Sequence, residues 1–381
     1  MIQKNLTTIV AANHLMADTI AKAIGATTQH EGFYHGNGFA VTWTNGCIIE
    51  ATYNADESFV MSSNMDMRLM YAHNFTFKMR NYDELLGYKK SEQDTKQLST
   101  IKALWKKSHT IVNAMYPSAE GELDFLNLYY FIACPVTVRR AWLPILTKGA
   151  IRHGVLHGPT NNKEYEEWLQ QELVNVFLSQ FEKVMDAFAS LSHEEIIDTY
   201  TGDELVEMRD NLQNIVDVMQ EAMADVEPCD DPNVEGGIRF EISEGVHPFS
   251  AVTLVMAAED ELGFSMDKTK TIALSLYSKK LISYPLVIQN GIPGGIWRKM
   301  CYNKQILRYN SKWGKTVSSR KPSRRHNFRD GECFYNGFGI VTTGLHPTDL
   351  NRDEEKLYNL IVKRVLDAFA PLEKKNDKKA R

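Results

Sequence analysis

The sequence predicts an α/β N-terminal part, a helical middle and a smaller helix-rich C-terminal part, and three observations predict it. Strand-length apolar runs alternate with helix-period segments from residue 6 to about 157. From 163 to 226 the helical period continues with no strand-like run. Past an acidic stretch bearing Pro and Gly, helical segments return with one brief β-like piece. A chain of 381 residues exceeds what one compact core organises, so several domains are expected.

The elements follow in order. Residues 6–12 (LTTIVAA) form an apolar run, and 14–24 (HLMADTIAKAI) has helical periodicity with Gly25 as its stop, which gives a β–α opening. Two β-like runs, FAVTW and CIIEA, flank Thr44-Asn45-Gly46, and Asn-Gly between apolar runs predicts a hairpin there. An amphipathic helix is expected over 95–107, a strand over 110–115 (TIVNAM) and a helix over 120–132. A strand over 136–142 (VTVRRAW) and a helix over 147–155 complete a mostly parallel sheet with its crossovers. The boundaries predicted are 1–157 for the α/β domain, 158–246 for the helical spacer and acidic linker, 247–372 for the last domain and 373–381 for a charged tail. Within the last domain, helices are expected over 251–262, 267–280 and 351–369, with a β-like piece at 281–285 and an irregular stretch over 286–346.

Composition excludes some classes. No apolar run approaches the ~18 residues of a membrane span, and the N-terminal run is too short and polar-flanked for a signal peptide. Cys47, Cys134, Cys229, Cys301 and Cys333 are odd in number, scattered and free of CxxC spacing, which argues against a disulfide framework or a structural zinc site. An intracellular, cytoplasmic protein without a membrane partner is expected. Net charge is −5, so the chain as a whole exerts no general pull on nucleic acid.

The charge distribution is more informative. Between 298 and 329 lie eleven cations and no carboxylate: Arg298, Lys299, Lys304, Arg308, Lys312, Lys315, Arg320, Lys321, Arg324, Arg325 and Arg329. Trp297, Tyr302, Tyr309, Trp313 and Phe328 are interleaved with them. Cations neutralise phosphates and flat rings stack on unpaired bases, so single-stranded nucleic acid is the expected partner. A solvated basic loop is the plainer alternative. Glu120 and Glu122 stand at a strand–loop–helix junction, where carboxylates can hold Mg²⁺, although acidic residues in a first helical turn usually complement the dipole. Tyr284, in Leu281-Ile282-Ser283-Tyr284-Pro285, is a candidate nucleophile only if cations lower its barrier to ionisation; alone it reads as an ordinary strand tyrosine.

These pieces occur in a familiar order. TIVAANHLMADTIAKAIGA and the following EGFYHGNGFAVTWTNGCIIEA resemble the opening of the Toprim domain of bacterial topoisomerase III. Lys96-Gln97-Leu98, Glu120-Gly121-Glu122-Leu123, Val138-Arg139-Arg140-Ala141-Trp142 and Leu146-Thr147-Lys148-Gly149-Ala150-Ile151-Arg152 follow the same domain to its end. GFSMDKTKTIALSLYSKKLISYP is similar to the helix pair and strand that carry the family's nucleophilic tyrosine, and FGIVTTGLHPTDLNRDEEKLYNLIVKRVLDAF continues the match. The resemblance is to the type IA DNA topoisomerases, and it covers the two ends of the chain. It implies a Rossmann-like Toprim domain, a helical spacer and a tyrosine domain. Its chemistry is single-strand cleavage through a 5′-phosphotyrosine at Tyr284, with Glu120 and Mg²⁺ assisting resealing.

The sequence departs from that pattern where the chemistry sits. The family's first glutamate and lysine fall on Ala12 and Asn13, and its two aspartates on Tyr116 and Ser118. The arginine of the second acidic motif falls on Ala119, and the one after the Tyr-Pro pair on Leu286. The family's paired histidines are replaced in Asn336-Gly337-Phe338-Gly339-Ile340. Each missing cation removes ~2–4 kcal/mol of transition-state stabilisation. The resemblance also implies a β-rich arch closing a gate, and the expectation here is a helical segment in its place. A DNA-binding relative with impaired cleavage is the first expectation. An active topoisomerase or nickase acting through Tyr284 is the second, and a protein-interaction adaptor of a replication or mobile-element complex the third.

Overall fold

The computed structural model describes residues 6–53, 66–80, 82–83, 88–89, 92–158, 162–189, 246–293, 296, 312–313 and 334–368. The acidic linker, the C-terminal tail and all of the basic stretch except Lys312 and Trp313 lie outside the described residues. The chain divides into two compact units, one of 1–48, 81–161 and 242–381, the other of 49–80 and 162–241.

The first unit is built on a sheet of order β10-β9-β1-β4-β3-β2. Its strands are β1 (Thr7–Ala11), β2 (Thr28–His30), β3 (Phe33–Gly36), β4 (Phe39–Trp43), β9 (Thr110–Ala114) and β10 (Thr137–Arg140). A short pair, β7 (Tyr82–Asp83) with β8 (Tyr88–Lys89), stands apart from it. Strands β10, β9, β1 and β4 run parallel, while β3 and β2 add antiparallel edges. Parallel neighbours need crossovers, and α1 (His14–Ile24), α3 (Glu92–Trp105) and α4 (Ala119–Ile132) occupy the connections, while α5 (Lys148–His157) follows β10 and packs on α1. The central strands are apolar on both faces, with Ile9, Val10, Val41, Ile111 and Val112 fully buried.

The tight hairpin is not where the Asn45-Gly46 signal predicted it. It joins β3 to β4 through Asn37 and Gly38, at φ 50° and 79°, with Gly36 opposite Phe39. Both loop residues have the positive φ that a type I′ turn requires. FAVTW cannot pair with CIIEA because β1 and β3 already hold both edges of β4. Asn45 and Gly46 do turn left-handed, but Thr44 and Gly46 donate their amides to the carbonyls of Ala11 and Ala12 and dock the turn on the end of β1.

In the same unit α7 (Ala251–Leu262), α8 (Met266–Ser278) and α9 (Arg352–Ala368) pack together. Leu276, Leu357, Ile361 and Val362 form buried faces there. Ser250 caps α7 through a reciprocal pair with Thr253, and Gly263 ends the helix left-handed. The piece expected as a strand at 281–285 is extended but irregular. Ile282 makes an isolated bridge to Thr342, Ser283 bonds Val341 and Tyr284 donates its amide to Pro144. Pro285 removes a ladder donor at its far end.

In the second unit β5 (Ile49–Tyr53) pairs antiparallel with β6 (Phe75–Met79), and α2 (Met67–Asn74) packs on α6 (Lys163–Ala189). Asp66 caps α2 and binds Arg68 and Gln170; burial opposes its ionisation, yet those bonds win and hold its pKa at about 2.

Candidate functional site

The site forms at the C-terminal ends of the parallel strands, where open α/β sheets place their chemistry. Strand β1 ends at Ala11, and Ala12 and Asn13 turn the chain into α1. Strand β9 ends at Ala114, and 115–118 turn it into α4. Each helix starts on a polar cap. Asn13 accepts from the Met16 amide at 2.8 Å, and Ser118 from the Gly121 amide at 3.2 Å. The second turn is tight: a Cβ on Gly121 would lie 2.2 Å from the Tyr116 carbonyl oxygen, so this position requires glycine.

Tyr284 reaches this edge from the segment after α8. Its ring is 2% exposed, and its hydroxyl donates to Ser118 Oγ at 3.3 Å. The Tyr116 ring lies 5.4 Å away, tilted by 33°, and the Tyr277 ring lies 5.4 Å away, edge-on. Asn13 Nδ2 donates to the Tyr116 hydroxyl at 2.6 Å, and Tyr277 donates to the Leu143 carbonyl. The positions where the resemblance expects a lysine and two aspartates therefore form one neutral network around the phenol of Tyr284.

The electrostatics follow from that packing. Burial pushes the Tyr284 phenol well above its ordinary value; the Ser118 bond opposes this, while Glu120, Tyr116 and Asp124 add to it. Burial also raises Tyr116 and Tyr277. Leu286, where the resemblance expects an arginine, is half-buried.

Glu120 and Glu122 are put to different uses. Glu120 is exposed in the first turn of α4. Glu122 is 3% exposed, and its carboxylate pairs with Arg140 Nε and accepts from Asn113 Nδ2 at 3.0 Å. Arg140 is consumed in turn: its remaining nitrogens donate to the carbonyls of Asn113, Met115, Tyr116 and Ala141. A hard divalent cation takes six or more oxygens, and a buried carboxylate already neutralised by Arg140 beside one exposed glutamate does not fit it. Among the described residues no group of three His, Cys, Asp or Glu is placed to hold a metal ion.

Of the basic stretch, Lys312 and Trp313 are described. The Lys312 ammonium lies 5.8 Å from the Trp313 ring centroid, and the indole donates to Asn359 on α9 at 3.2 Å. Arg298, Lys299, Lys304, Arg308, Lys315, Arg320, Lys321, Arg324, Arg325 and Arg329 lie outside the described residues. The sequence reading missed the roles of Asn13, Arg140 and Tyr277. The available signal was position: all three lie within a few residues of strand or helix ends that converge on one edge.

Comparison with known proteins bears on the family and the fold. The family model for DNA topoisomerase matches residues 184–381, just over half of the chain. DNA topoisomerase 1 of Methanothermobacter thermautotrophicus is 34% identical over 134 residues, 35% of this chain and 18% of that protein. DNA topoisomerase 1 of Alkalihalophilus pseudofirmus is 23% identical over 339 residues, 76% of this chain and 48% of that protein. Full-length topoisomerase I from Thermotoga maritima superposes with a TM-score of 0.50 at 16% identity, over 95% of this chain and 61% of that one. The chain thus spans under half the length of these curated relatives. On the family match and its agreement with the fold, this chain belongs to the type IA DNA topoisomerase family.

Proposed function

We propose that the chain is a DNA-binding member of its family in which tyrosine transesterification is impaired, with a Toprim-type sheet domain and a preference for single strands. The observation that supports it best is the setting of Tyr284. A nucleophilic phenol must lose its proton while a pentacoordinate phosphate gains charge, and both steps need nearby cations. Here Tyr284 is 2% exposed among Tyr116, Tyr277 and Ser118, and burial raises its pKa, helped by Glu120, Tyr116 and Asp124 and opposed only by the Ser118 bond. Glu122 serves the fold through Arg140, which leaves Glu120 as the one exposed carboxylate of the motif.

The DNA-binding half of the proposal rests on the basic, aromatic stretch from Trp297 to Arg329. The test is titration of labelled oligonucleotides, single-stranded and duplex, with plasmid relaxation in Mg²⁺ run in parallel. Tight single-strand binding without relaxation is expected. Relaxation, or equal affinity for duplex, would overturn it.

A further inference from the structure

Helix α5 carries His153 and His157 one turn apart, and both are exposed. Their ring centroids are 5.5 Å apart and their planes are tilted by 53°. We propose that this pair is a two-histidine chelate for a borderline transition-metal ion of the Zn²⁺, Ni²⁺ or Cu²⁺ class. Residues four apart on a helix share a face, so both imidazoles reach the same point in solvent. A metal-bound imidazole nitrogen lies ~2.0–2.1 Å from its ion, which puts the centroids of two rings on one ion about 5 Å apart. The observed separation needs only small side-chain rotations to close on an ion.

The helix is a firm base for the pair. Ile151 and Val155 are buried, Arg152 Nε donates to the Ala23 carbonyl at 2.8 Å, and Arg139 donates to the Leu156 carbonyl at 3.3 Å. Binding therefore orders two side chains and little backbone. A histidine in the last turn also complements the helix dipole, which accounts for His157 but not for His153 one turn earlier. The histidines of β2 and β3 make a useful contrast. His30 and His35 are 6.2 Å apart, and the His30 ring stacks on Phe33 at 4.6 Å.

Imidazole selects borderline ions over Mg²⁺, which prefers oxygen, so the site is separate from the family's Mg²⁺ chemistry. Two protein nitrogens leave coordination positions open for water, an anion or a donor from another molecule. The inference holds whether or not Tyr284 reacts.

Calorimetric titration of the full chain with NiCl₂, and separately with ZnCl₂, in excess Mg²⁺ tests it. The expected result is saturable binding and a melting temperature that rises with ion concentration, because the formed helix is the binding form. His153→Ala and His157→Ala should each weaken binding by roughly tenfold or more and abolish the rise in melting temperature. His30→Ala should change neither, and circular dichroism should show all three variants folded. An absence of saturable heat, or binding that survives the double substitution, would overturn the proposal.

Discussion

Tyr284 illustrates how a residue's neighbours decide its chemistry. A phenol beside cations can act as a nucleophile; this one packs on Tyr116 and Tyr277 and hydrogen-bonds Ser118. The pH dependence follows from the direction of the shifts. Tyr284, Tyr277 and Tyr116 are held above their ordinary value, and burial pushes Tyr358 up to about 12. A group whose folded pKa is raised contributes stability that is intact below the unfolded value of ~10 and is lost as pH rises toward the folded one. Denaturant midpoints should therefore be flat from neutrality to about pH 9 and fall above about pH 10. Tyr284→Phe should soften that alkaline fall while costing only about 0.5–1.5 kcal/mol at neutral pH.

Glu122 gives the second prediction at this scale. Its sequence context suggested a metal ligand or a dipole cap, and nothing local distinguishes either from a buried ion pair. The partner, Arg140, is eighteen residues away on a neighbouring strand. Removing one member of a buried pair strands the other charge, so Glu122→Ala should cost about 3–5 kcal/mol by urea denaturation. A cost under about 1 kcal/mol would mean the pair is not an important part of the core.

At the scale of elements, strong local signals were legible and long-range choices were not. The β–α opening, with its Gly25 stop, emerges as β1 and α1, and α7 emerges over the predicted residues 251–262. Caps and hydrophobic period are local, so they survive the absence of tertiary information. The hairpin failed because two Asn-Gly pairs compete, and which one turns a hairpin depends on the edges of β4 already taken by β1 and β3. Strands β5 and β6 went half unnoticed for the same reason: β6 is unreadable without its partner. The sequence singled out Tyr284, Glu120 and Glu122, of which Glu122 pairs with Arg140, whereas the contact of Asn13 with Tyr116 depends on side chains 103 residues apart. Ser118 serves two elements, capping α4 and accepting from Tyr284. Ser118→Ala should cost about 1–2 kcal/mol in thermal or urea unfolding, and Ser118→Asp, which keeps a cap, should cost less. Equal losses in both variants would show that the cap contributes little.

For the whole molecule, a net charge of −5 and a stretch of eleven cations make opposite predictions about nucleic acid, and range decides between them. At 0.15 M salt the screening length is about 8 Å, so the local stretch governs contact. If about five of those cations meet phosphates, log affinity for a single strand should fall against log salt with a slope of roughly −3.5. Fluorescence anisotropy across 50–300 mM KCl measures it, and a flat dependence would exclude the stretch as the binding surface.

The central claim is that Tyr284 is held as a neutral, buried phenol rather than poised as a nucleophile. Incubating the chain with an end-labelled single-stranded oligonucleotide and Mg²⁺, then stopping with denaturant, tests it most directly. Topoisomerase chemistry leaves the protein joined to the cut strand, so a covalent adduct migrates with the protein on a denaturing gel. The account predicts free oligonucleotide only, identical for the unmodified chain and Tyr284→Phe. A labelled adduct that disappears in Tyr284→Phe would contradict it and establish a working transesterase.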